Sequence, residues 1–181
     1  MSGRMEGPLL DATLRVDHIP PEGRELEVKA DATQLLAIAE RLQISALDRL
    51  EAKLKLVRFR GGVQVTGHVE ATAVQPCVVT FVPVRQEIAE PFDRVYLPAA
   101  EQPKSATTHP EVFVDLDADV PDYFEGHEVD LSEAIIETVA LALDPYPRAP
   151  GASLDQVGLP PTEPEPSPFA ALKTLLDPDK R

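Results

Sequence analysis

The stretch from Asp48 to Val74 leaves this chain few choices of fold. In DRLEAKLKLVRF, Leu50, Ala52, Leu54 and Leu56 take every second position, with Glu51, Lys53 and Lys55 between them. In VQVTGHVEATAV, Val63, Val65, Val69, Ala71 and Ala73 alternate with Gln64, Thr66, His68, Glu70 and Thr72. A period of two sends successive side chains to opposite faces of a strand, so each segment has one face for a core and one for water. Between them, RGG supplies Gly61 and Gly62, two residues without Cβ that can take the positive φ angles of a tight turn. The expectation is an antiparallel hairpin lying on a core.

Other elements follow from similar local signals. LLDATLRV and RELEVKA read as short strands separated by a PPEG turn at Pro20–Gly23. DATQ opens a helix: Asp31 accepts from the N3 amide while Gln34 reaches back, the capping-box arrangement. Leu35, Ile38, Ala39 and Leu42 then recur at helical spacing. After QPC interrupts the alternation, VRQEIAEPFDRVYL reads as a third strand with Val84, Ile88 and Phe92 on one face. Pro91 places it at an edge or an irregular end. EVFVDLD (111–117) adds a short strand, and DADVPDYFEGHE reads as an acidic loop. DLSE opens a second helix, with Asp130 as its cap and Glu133 returning the bond. That helix is apolar nearly all round, so it is packed on more than one side or offers a face to a partner. It must end near Asp144, because Pro145 cannot continue the ladder.

Nineteen prolines are many for 181 residues, and they crowd late in the chain. One domain at 9–149, a proline-rich linker at 150–168 and a short amphipathic segment at 169–177 with Phe169, Leu172 and Leu176 on one side account for the distribution. The expected fold is α+β, with a curled or barrel-like antiparallel sheet of about five strands packed by two helices. No apolar run is long enough to span a bilayer and no secretory signal is visible, which points to the cytoplasm and away from a membrane. A single cysteine excludes an internal disulfide framework.

The net charge of −14 argues against nucleic acid as a general partner, since such binding is driven by lysine and arginine on phosphates. Residues 41–60 depart from that balance at +4, with Arg41, Arg49, Lys53, Lys55, Arg58 and Arg60 against Asp48 and Glu51. This stripe is compatible with a local RNA contact, and a solvated strand face explains it as well.

Few constellations carry chemistry. Asp115, Asp117 and Asp119 copy the opening of a calcium loop, which then fails at Val120 and Gly126. The four histidines lack helical partners at metal-ligand spacing. Glu133 and Glu137 sit one helical turn apart, as a carboxylate pair for acid/base work would. Capping accounts for Glu133, while a structural pairing, with Arg148 as one candidate, is the preferred account of Glu137. No phosphate-cradling glycine loop or nucleophile elbow is present. Cys77 has neither base nor cationic neighbour in sequence and reads as a small buried residue at a strand connection.

Read in order, PCVVTFVPV (76–84), IAEPFDRVY (88–96), HEVDLSEAIIETVALALDPYPRAPGAS (127–153) and PFAALKTLL (168–176) resemble the bacterial YceD family, in its alphaproteobacterial form. The resemblance makes Cys77, Thr80, Asp130, Glu137, Asp144 and Arg148 landmarks. It implies a non-catalytic ribosome-biogenesis role supporting 23S ribosomal RNA accumulation and large-subunit assembly, with no established enzymatic activity; the acidity adds basic ribosomal proteins as suitable partners. Many relatives carry a second cysteine three positions after the first, as if for zinc. Thr80 stands there in this chain, so no metal or other cofactor is expected. The alternatives are a general interaction module using the apolar helix 131–143 and the tail, and, further off, an RNA-processing hydrolase centred on Glu137.

Overall fold

Seven strands and two helices follow one another along residues 9–101 and 120–153, the residues that the computed structural model describes. In chain order they are β1 (Thr13–Arg15), β2 (Arg24–Lys29), α1 (Ala32–Leu42), β3 (Ala46–Phe59), β4 (Gly62–Pro76), β5 (Pro83–Pro98), β6 (Asp122–Phe124), β7 (Glu128–Asp130) and α2 (Ser132–Ala142). The strand expected at 111–117, Asp115, Asp117, Asp119, most of the linker and Phe169, Leu172 and Leu176 all lie outside the described residues.

The β3–β4 hairpin forms as its alternation dictates. Leu50, Ala52, Leu54 and Leu56 are buried on β3, level with Ala71, Val69, Gly67 and Val65 of β4. The turn sits one residue earlier than expected. Phe59 pairs with Gly62, so the two-residue loop is Arg60–Gly61, with φ of 47° and 77°. Gly62 belongs instead to the strand, where a Cβ would strike the carbonyl oxygen of Tyr96. Further along β4, a Cβ on Gly67 would strike the Lys53 carbonyl oxygen. Close backbone approach of this kind is what lets long strands curl.

The main sheet has the order β2-β3-β4-β5-β6 and stays open, since its end strands β2 and β6 do not pair. Four strands are antiparallel to their neighbours, whereas β6 runs parallel to β5 at Tyr96–Pro98. Its position corrects one expectation: Asp122–Phe124 adds a strand where the composition suggested only an acidic loop. The first strand is also shorter than LLDATLRV suggests, and β1 joins β7 in a separate two-stranded ribbon. Over Pro83–Val95, β5 has β4 alone as a described neighbour, consistent with Pro91 at an edge.

Both helices pack on one face of this sheet, α1 against β3 and α2 against β4 and β5. The α1 start is the predicted capping box: Asp31 accepts from the Thr33 and Gln34 amides at 2.8 and 2.9 Å, while its own amide donates to Gln34 Oε1. In α2, Ile135, Ile136 and Val139 are buried and join the same core as Ile38 of α1 and Phe92 of β5. Burying each such side chain is worth about 1.5–3 kcal/mol, so α2 is a core element first. Leu141 is its one large apolar side chain left exposed. The α2 start differs from expectation. Asp130 ends β7 and is not the cap; Leu131 stands at the N-cap without a side-chain bond, Asp130 Oδ1 accepts from the Ser132 amide at 2.9 Å, and Glu133 does not return the bond. It pairs with Arg41 of α1 instead, through both guanidinium nitrogens. None of the described helices is long and apolar enough to cross a membrane.

Candidate functional site

Two regions hold the residues that the sequence singled out. The first is the outer face of the sheet, which carries the basic stripe. Lys53 stands level with Glu27 of β2 and His68 of β4, and Lys55 with Glu25 and Thr66. Arg49 donates to Glu51 at 3.0 Å and to Glu70 at 2.6 Å, and it holds the Glu51 carboxyl below its ordinary value. Arg58 is not part of this face. Its position matches the core-side parity of Leu54 and Leu56, and it donates to the carbonyls of Ile19 (2.5 Å) and Asp17 (2.8 Å), tying down the segment after β1. Arg60 sits at the hairpin tip with its guanidinium 5.3 Å from the Phe59 ring centroid. A shallow groove of ≈ 970 Å³ crosses the face, with Glu25, Glu27 and Asp93 among its walls beside Lys53, Lys55 and His68. Acids and bases therefore interleave. Glu25, Glu27 and Asp93 outnumber Lys53 and Lys55, so a polyanion meets more like charges here than opposite ones.

The second region is the connection between β4 and β5, pressed against the segment that follows α2. Cys77 begins it and is fully buried. Its sulfur receives the amides of Val79 and Thr80, both at 3.4 Å, and the amide of Ala149 at 3.3 Å. These donors favour the charged form, with Ala149 and then the Thr80 hydroxyl contributing most. They outweigh burial and pull the thiol down to about 6. The enclosed Thr80 hydroxyl lies near the sulfur but completes no hydrogen bond with any described residue. Backbone bonds close the loop: Cys77 to Val82 (2.8 Å), Phe81 to Cys77 (2.9 Å) and Val78 to Pro147 (2.9 Å).

Asp144 anchors the other half. Its amide donates to Gln86 at 3.0 Å, its carbonyl accepts from Gln75 at 3.3 Å, and its carboxylate takes the Tyr146 amide at 2.8 Å. Arg148 is exposed and does not meet Glu137. Arg94 of β5 is the partner of Glu137, at 3.3 Å, because α2 lies along β5 rather than beside its own following segment. Both glutamates of the proposed acid pair are therefore exposed, and each is engaged with an arginine from another element rather than with the other.

The two connections together expose Val78, Phe81, Val82 and Tyr146, with Phe81 78 % and Tyr146 71 % accessible. Phe81 holds φ at +60°, a region that bulky residues rarely occupy and that costs about 1–3 kcal/mol. Sequence patterning missed this patch, since positive φ at a phenylalanine leaves no compositional trace. It also missed Tyr96, buried at the other end of β5, whose phenol burial pushes up to about 12. Among the described residues no three His, Cys, Asp or Glu side chains are placed to share a metal ion. One sulfur flanked by a hydroxyl and three amides does not fit a zinc site, which needs four N, S or O ligands.

The scaffold is α+β with an open sheet, and the junction of its two loops carries an exposed apolar patch. The family model for "Large ribosomal RNA subunit accumulation protein YceD" matches residues 65–176, well over half of the chain, and the chain belongs to that family. Neither the curated proteins nor the solved structures contain a match. The matched span takes in both sides of the junction, Cys77–Val82 and Asp144–Ala149.

Proposed function

We propose that this protein supports accumulation of 23S ribosomal RNA in the cytoplasm as a non-catalytic assembly factor, and that it engages protein components of the large subunit through the Cys77–Asp144 junction. The observation that carries this reading is the junction itself. Two segments far apart in the family's matched span converge on one sulfur and present an apolar patch. Exposed apolar clusters on an otherwise polar surface mark interaction sites. The charge of −14 favours basic proteins over RNA as the contacted species.

A strain lacking the gene should accumulate large-subunit precursors and lose 23S ribosomal RNA. Complementation by Phe81→Ser with Tyr146→Ser should fail while the protein remains folded. Normal subunit ratios in the deletion strain would refute the assembly role. Full rescue by the double variant would move the contact elsewhere.

Direct RNA contact is the second reading, and the exposure of Lys53, Lys55 and Arg60 favours it. Because Arg58 serves the fold, neutralising those three is the cleaner test. Salt-dependent ribosomal RNA binding lost in that triple variant would support RNA recognition over protein docking.

A further inference from the structure

The described chain ends at Ser153, a few residues from the patch: Ala149 donates to Cys77 Sγ, and Ala152 donates to Ala149 at 3.0 Å. Fifteen residue steps separate Ser153 from Pro168, after which PFAALKTLL repeats its large apolar side chains at Phe169, Leu172 and Leu176. The sequence predicts one apolar face for that segment, too small to fold alone. The patch beside the exit point is likewise uncovered by any described residue, with Val78 at 44 % and Val82 at 46 % exposure.

We propose that residues 168–176 dock back onto the Val78, Phe81, Val82 and Tyr146 patch of the same chain. Three observations bear on this occupant. The intervening chain reaches about 50 Å fully extended and so spans the distance with ease. A tether anchored next to its target raises the local concentration of the segment to the millimolar range, about the level that weak apolar contacts need. The charges also match: Glu163 and Glu165 precede the apolar stretch, and Arg148, exposed and without a described partner, stands at the edge of the patch. The family match runs through Leu176, so the matched unit includes both the patch and the segment. A second copy is the weaker occupant, because two bodies of charge −14 repel.

The test uses the full chain with Thr174→Cys carrying a nitroxide label. Buried Cys77 is shielded from the reagent. The proposal expects the methyl resonances of Val78 and Val82 to lose most of their intensity to paramagnetic broadening, unchanged on dilution. Phe81→Ser with Tyr146→Ser, both changes at exposed side chains, should restore the signals. Even broadening over the surface, or broadening centred elsewhere, overturns the docking site. Broadening at the patch that fades on dilution overturns the same-chain assignment and gives the site to a second copy. None of these readouts involves the ribosome, so failure here leaves the assembly role standing and failure of that role leaves the docking intact.

Discussion

The hairpin of β3 and β4 and the Cys77–Asp144 junction are held by opposite means. In the hairpin, side chains do the work: alternate residues enter one core, and the outer face balances its own charges. In the junction, main-chain amides do it, converging on a sulfur and on an aspartate while the large apolar side chains turn outward. A region that hides its side chains is built to last. One that hides its backbone and displays its side chains leaves an apolar surface facing solvent.

Breaking each region should expose the difference. The largest effect belongs to the hairpin: Leu54→Ala should cost about 2–5 kcal/mol in urea unfolding, as a buried leucine in a packed core does. Cys77→Ala should cost less, about 1–3 kcal/mol, because it strands the amides of Val79, Thr80 and Ala149 without filling a large void. Its signature is in the pH profile. The thiol titrates near 6 when folded against 9.0 in the unfolded chain, so its contribution is complete above pH 9 and is lost as pH falls through about 6. The stability difference between wild type and Cys77→Ala should therefore grow from pH 6 to 9 and stay flat below 6. A pH-independent difference would mean that the sulfur acts only by filling space. Smallest of all, Lys53→Ala with Lys55→Ala should change stability by no more than about 0.5 kcal/mol, since both side chains are exposed. A large loss there would place the outer face among the structural elements.

Legibility in the sequence divides along the same line. Alternation and the capping box at Asp31 are written within a few consecutive residues, so the hairpin, α1 and the core faces of β3 and β4 follow from local pattern. Partners across the fold do not. Glu133 finds Arg41 over 92 residues, Glu137 finds Arg94 over 43, and Cys77 finds Ala149 over 72. Each depends on which strand α2 lies along, a choice that no local period encodes. Arg58 differs for a related reason: it shares the strand parity of Leu54 and Leu56, and its exposed side chain is spent on the Ile19 and Asp17 carbonyls. Family resemblance located the junction through Cys77 but said nothing of its exposed Phe81.

The wrapping of Cys77 has a kinetic consequence. As the chain's sole thiol, fully covered by its own two loops, it can meet a water-borne alkylating reagent only after those loops part. Its modification rate therefore times that opening directly. If the loops separate without the sheet unfolding, labelling will outrun global denaturation, and the ratio of the labelling rate to that of a freely exposed thiol will give the free energy that clamps the junction shut.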